Sequence, residues 1–302
     1  MEMEYIKAKT IVTRAKESSN WFGMDYNMNI YRGCCHGCIY CDSRSDCYRV
    51  PDFDTVKAKE NALQIIRDDL KRKVKKGVVA TGSMSDPYNP FEKELQLTRH
   101  ALELLSAFGF GALVMTKSVL VTRDADVLKE MNEHNAVAVA MTVTTADDKL
   151  SKIVEPNVAL SSERFEAVEK ISSKGICTGI LMMPVLPFIE DTEANIEAIV
   201  DKAYESGAKF IYPAMGVTLR ENQREYYYDK LDIYFPGVKE QYIKTYSNRY
   251  SCTSKDAKNL WNIFTKRCDK YSIVYKMSDI INVYKTGRAP LQLGLFDLNN
   301  MG

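Results

Sequence analysis

Between residues 56 and 216 the chain alternates two kinds of segment. Apolar residues recur at helical spacing in VKAKENALQIIRDDLKRKVKK (56–76), ELQLTRHALELLSAFGFG (94–111), RDADVLKEMNEH (123–134), SSERFEAVEKISSKG (161–175) and DTEANIEAIVDKAYESG (191–207). These predict helices, with Gly175 and Gly207 as their stops. Short continuous apolar runs lie around and between them: GVVATG (77–82), ALVMTKS (112–118), AVAVAMTVTT (136–145), ICTGILMMPVLP (176–187) and AKFIYPAMG (208–216). Continuous runs mark parallel strands covered on both faces. About six strand–helix units fit between residues 28 and 216. That is too few for an eight-fold barrel and leaves a partial barrel or an open doubly wound sheet.

After residue 220 the pattern changes to an aromatic-rich stretch (220–246), one more helix in SKDAKNLWNIFTKRCDKY (254–271) and a Gly/Pro-bearing tail. The simplest division is 1–220 as a barrel with its N-terminal segment and 221–302 as a mixed extension and tail packed on it. A net charge of +1 argues against a general polyanion-binding surface, while a local basic patch remains compatible. The absence of an eighteen-residue apolar run predicts no membrane span. MEMEYIKAKTIVTRAKESSN at the N-terminus has neither the apolar core nor the cleavage site of a signal peptide, so the expected location is the reducing cytoplasm.

In that compartment one stretch stands out. YRGCCHGCIYCDSRSDCYRV (31–50) holds five of the eight cysteines. Clustered cytoplasmic thiols point to metal or redox chemistry. A bacterial ferredoxin run starting at Cys35 needs a fourth cysteine three residues after Cys41 and then proline, whereas Cys47 comes six residues later and precedes Tyr48. Structural zinc is usually built from two separated pairs, but these candidates share one loop, and Cys252 and Cys268 stand alone. Cys34, Cys38 and Cys41 form C-x3-C-x2-C, three thiolates able to hold a 4Fe–4S cube and leave its fourth iron open. Cys35 and Cys47 then become bystanders, and His36 shapes the loop rather than ligating iron.

The RGCCHGCIYC loop (32–41) resembles that of the radical S-adenosylmethionine (SAM) superfamily, in the branch that contains spore photoproduct lyase. Further blocks resemble that branch in the same order: TGSMSDPYNPFEKELQLTRHALELL (81–105), TKSVLVTRDADVL (116–128), MTVTTADD (141–148) with EPNVALSSERFEAV (155–168), and GILMMPVLPFIEDT (179–192). The resemblance implies a partial (β/α)6 TIM-like barrel and a 4Fe–4S cluster whose open iron is chelated by SAM. It also implies a reducing partner such as ferredoxin or flavodoxin, and reductive cleavage of SAM to a 5′-deoxyadenosyl radical that abstracts hydrogen.

By the same resemblance Cys34, Cys38 and Cys41 bind the cluster and Tyr40 lies at the adenine. Gly82, Ser83, Ser85 and Asp86 meet the methionine amino group, Lys117 the carboxylate, and Thr142 and Thr144 the carboxylate or ribose. Other roles suit some of them: Asp86 before Pro87 as a turn, the threonines as strand residues, and Arg99 and Arg123 as helix braces. In the lyase a cysteine just before the Ser–Asp pair returns hydrogen to the product, and a tyrosine follows the last cluster cysteine. Here these places hold Ser83 and Asp42, so thymine-dimer reversal itself is not expected.

QLGLF (Gln292, Leu293, Leu295 and Phe296 around Gly294) resembles the pentapeptide that docks bacterial repair proteins on the sliding clamp, though packing on the barrel or closing its open edge is the favoured reading. Tyr226, Tyr227, Tyr228 and Tyr234 with Arg220 and Arg224 suit either a base-stacking surface or a lid. The expectation is a radical SAM enzyme with a DNA or nucleotide substrate. The rivals are an enzyme modifying a small molecule, peptide or RNA, and a zinc or iron–sulfur protein for binding or electron transfer.

Overall fold

The computed structural model describes residues 3–15 and 21–286. Six strands run parallel and neighbour one another in sequence order: Tyr26–Met28, Val78–Thr81, Gly111–Thr116, Val137–Thr142, Cys177–Met182 and Phe210–Pro213. Val12–Arg14 pairs antiparallel outside the first of them. Among the described residues the two end strands do not meet, so this is a partial barrel. Helices Ala62–Lys71, Leu97–Ala107, Ala125–His134, Ser161–Ser172 and Glu193–Glu205 occupy the crossovers.

Two predicted helices start later than the pattern suggests. In the 56–76 stretch Lys57–Lys59 is a strand, parallel to Glu4–Ile6 and antiparallel to Tyr31–Arg32. Only Ala58 between its two lysines is buried, so tertiary pairing overrides helical spacing there. In the 94–111 stretch Gln96 takes φ +48° and separates the turn Glu92–Leu95 from the helix proper.

Strand side chains divide by parity. Val79, Val114, Val139 and Ile180 face the helices; Ala80, Leu113, Ala138, Ala140 and Leu181 face inward. The small inward residues leave room for rings. A Cβ on Gly179 would lie 2.3 Å from the Phe210 ring. Below them, at the strands' N-terminal ends, helix Met277–Lys285 and the turn Trp21–Gly23 stop the barrel floor. Ile280, Tyr284 and Phe22 are buried there, and the Tyr284 hydroxyl donates to the Phe22 carbonyl.

The extension begins with a ribbon, Gly216–Thr218 against Ser251–Thr253, that brackets helices Gln223–Tyr234 and Val238–Tyr246. Helix Ala257–Tyr271 packs on Glu193–Glu205 through Arg267–Asp201 contacts of 2.7 and 2.5 Å and stacked Tyr204 and Tyr271. Val274 then pairs with Phe210 and covers the outer strand edge. No helix among the described residues is long and apolar enough to cross a membrane.

Candidate active site

The cysteine loop is set by its entry and its clamp. Gly33 has φ +79°, and a Cβ there would lie 2.2 Å from the Thr55 carbonyl oxygen, so only glycine fits. The Cys34 N–H donates to the Phe53 carbonyl at 2.8 Å and the Ile39 N–H to the Val154 carbonyl at 3.0 Å. Asn157 completes the clamp, its backbone N–H donating to the His36 carbonyl at 3.1 Å and its Nδ2 to the Cys35 carbonyl at 3.0 Å.

With the C-terminal ends of the strands, this loop encloses a cavity of about 370 Å³, within the range of ligand pockets. Cys34, Cys38 and Cys41 line it. Cys35 packs against the outer core, and exposed Cys47 has its Sγ 3.4 Å from Arg220 Nη1. Cys177 opens its strand at the opposite end of the barrel. The thiols that face the cavity are thus the C-x3-C-x2-C set.

Burial pushes all three upward, Cys34 to about 12, so ligation there must displace protons. Three thiols lining one cavity are the donor set that a 4Fe–4S cluster with one free iron would need.

Tyr40, Gly82, Ser83, Ser85, Asp86, Lys117 and Thr142 also line the cavity; Thr144 does not. Gly82 adopts φ +97°, and a Cβ there would sit 1.8 Å from the Met115 carbonyl oxygen. The backbone therefore passes the cavity wall closer than any side chain allows. Ser83 is exposed at the mouth, and the Ser85 hydroxyl donates to the Tyr31 carbonyl at 3.0 Å.

Asp86 is committed to the protein. Oδ1 accepts from Thr116 Oγ1 (2.6 Å) and the Tyr88 N–H (2.9 Å), while Oδ2 accepts from the Lys117 N–H (2.8 Å) and lies 3.6 Å from His36 Nδ1. It is both the turn before Pro87 and a brace between two strand ends. Burial lowers the His36 pKa despite Asp86 beside it, which favours the neutral ring.

Lys117 is the cationic counterpart. Among the described residues its ammonium has no hydrogen-bond or ion-pair partner, and its Nζ lies 5.8 Å from the Tyr40 ring centre. Burial pulls its pKa down, but neighbouring anionic groups, the ionised Glu155 carboxylate and any Cys38 or Cys41 thiolate, raise it by more. It presents a point charge suited to a carboxylate.

Thr144 lies behind the cavity wall, its hydroxyl donating to Glu190 Oε1 at 2.7 Å. Glu190 Oε2 accepts from the Leu186 N–H at 2.9 Å, and burial pushes this carboxyl up to about 8.

Arg99 pairs with Asp126 (2.7 Å) and Arg123 with Asp124 (2.6 Å), so both brace helices. The tyrosines divide: Tyr227 is buried on Tyr242 and Tyr226 covers the Arg44 guanidinium at 3.8 Å, filling the lid between barrel and extension, while Tyr234 is exposed; Arg224 donates to the Leu219 and Arg249 carbonyls. Asp42 accepts from the Tyr48 hydroxyl (2.7 Å) and Arg220 Nε (3.1 Å), tying the loop to the extension.

Sequence reasoning missed Glu155, Arg164 and Gln223, all buried and all linked to Tyr40. Charged residues inside the block 155–168 were a visible signal, but nothing in spacing pairs Glu155 with Arg164.

A family model described as the radical SAM superfamily matches residues 28–211. An uncharacterized protein of Mycobacterium tuberculosis (strain ATCC 25618 / H37Rv) is 28% identical over 228 residues, 73% of this chain and 67% of its own length. Uncharacterized protein MJ0683 of Methanocaldococcus jannaschii is 31% identical over 196 residues, 64% of this chain and 71% of its own. Among solved structures, spore photoproduct lyase complexed with dinucleoside spore photoproduct superposes with a TM-score of 0.66 at 13% identity, covering 88% of this chain and 78% of the lyase.

Proposed function

Because the chain belongs to the radical SAM superfamily, and is an enzyme, we propose that it holds a 4Fe–4S cluster on Cys34, Cys38 and Cys41 and abstracts hydrogen from a DNA or nucleotide substrate. The observation that carries the cluster assignment is the sorting of loop thiols: three line the cavity, while Cys35 and Cys47 do not. Bound there, the cluster and SAM supply a 5′-deoxyadenosyl radical by reductive cleavage of the sulfonium bond. Lys117 pairs with the methionine carboxylate, and the floor of Trp21, Met115, Leu181 and Met183 excludes water from the reacting end. A low-potential donor such as ferredoxin or flavodoxin supplies the electron.

The likeness in fold to a lyase solved with a dinucleoside supports the substrate class. Dimer reversal in the lyase's manner is not the proposal. The cavity's thiols are the three cluster ligands, and the O–H bond of Ser83 is too strong to replace a cysteine as hydrogen donor. Gln292–Phe296 lies outside the described residues. We propose it as a sliding-clamp contact. Clamp capture lost in Leu295→Ala/Phe296→Ala supports that, and equal recovery ends it.

Anaerobic reconstitution tests the main reading. The wild type should take up about four irons per chain and release 5′-deoxyadenosine on reduction with SAM, and Cys38→Ala should release none. A fourth protein sulfur on the cluster, or undiminished nucleoside from Cys38→Ala, overturns it.

A further inference from the structure

Tyr40 is held at both ends. Its phenol donates to Glu155 Oε1, and Glu155 Oε2 lies 2.5 Å from Arg164 Nη1. Arg164 is 0% exposed and also donates to the carbonyls of Thr142 (2.8 Å) and Ala159 (2.8 Å) and to Ser151 Oγ (3.2 Å). At its other end the Tyr40 carbonyl accepts from Nε2 of buried Gln223 at 3.0 Å. The same Nε2 reaches the Thr218 carbonyl at 2.8 Å, and Gln223 Oε1 accepts the Arg220 N–H at 2.8 Å. The stretch between Cys38 and Cys41 is thereby joined to the strand bearing Thr142, to the clamp segment and to the extension.

Burying an ion pair is a poor route to stability, since an apolar pair of the same volume serves as well or better. This pair sits where it does something more specific. Resting on the reading above, we infer that Glu155, Arg164 and Gln223 are positioning residues. They fix Tyr40 against the cavity, and the opposed charges of Glu155 and Arg164 set the potential felt at the three cysteines.

The test uses reconstituted full-length protein and two readouts, the cluster's midpoint potential by EPR-monitored titration and the SAM dissociation constant. Glu155→Gln leaves Arg164 and Lys117 unopposed, which favours the reduced cluster and raises the potential. Arg164→Gln removes a positive charge and lowers it. The double variant, with no unpaired member, should return toward wild type. A purely structural role does not move the two single variants in opposite directions.

Tyr40→Phe and Gln223→Leu should weaken SAM binding on the order of 10-fold at unchanged iron content. Tyr40→Phe keeps the packing intact and remains decisive if the charge variants do not fold. Unmoved potentials, or SAM affinity in Tyr40→Phe equal to wild type, overturns the inference while leaving the cluster assignment standing. A wild-type chain that takes up no iron sinks both.

Discussion

A carboxyl group sealed from water with no cation beside it keeps its proton. Glu190 is 1% exposed, and its hydrogen-bond partners are the Thr144 hydroxyl and the Leu186 N–H. Its proton leaves near 4.5 in the unfolded chain and at about 8 in the folded one. Between those values the folded state binds a proton that the unfolded state has lost. The contribution is therefore complete below the lower value and drains away as pH rises through the upper one. Glu190→Gln, which keeps an acceptor for Thr144 and cannot ionise, should flatten this fall. The unfolding free energy from urea titration should drop by a few kcal/mol between about pH 5 and about pH 8.5 in the wild type and hold in the variant. Parallel curves for the two proteins exclude the effect.

The same residue shows why Thr144 was harder to place than Thr142. Strand parity sends both the same way, but a loop 46 residues later in the chain supplies Glu190, which claims the Thr144 hydroxyl. Gly82 is the opposite case. A glycine at the end of an apolar run signals close backbone approach, and the Met115 carbonyl oxygen is there.

At the level of elements, the repeated strand–helix alternation was legible because parallel strands must be apolar on both faces. The floor helix Met277–Lys285 was not. Only Ile280 and Tyr284 of its residues are buried, too weak a pattern in nine residues to stand out. Its worth is tertiary. Ile280→Ala should cost about 2–5 kcal/mol of unfolding free energy, read from denaturant titration. Iron uptake per folded molecule should stay unchanged, because no residue of that helix lines the cavity. Loss of iron from the folded fraction refutes that separation. The lid was half legible: the sequence marked Tyr226 to Tyr228 as a unit, but only the fold shows Tyr227 turned onto Tyr242 and away from any ligand.

For the molecule as a whole, charge argues for recognition inside a pocket over recognition along a backbone. The net charge is +1, and among the described cavity-lining residues Lys117 is the one Lys or Arg. A nucleic-acid substrate held by an extruded base should bind with a shallow salt dependence, a log–log slope of magnitude about 2 or less. Fluorescence anisotropy of a labelled oligonucleotide across added salt measures this. A slope near −6, typical of roughly six neutralised phosphates, points to a basic track instead.

The stoppered floor constrains traffic. Phe22, Phe210 and Tyr284 fill the barrel beneath the cavity, so among the described residues that end offers no passage. On the proposed reading, a cofactor seated against that plug would load before the substrate above it and be released after it.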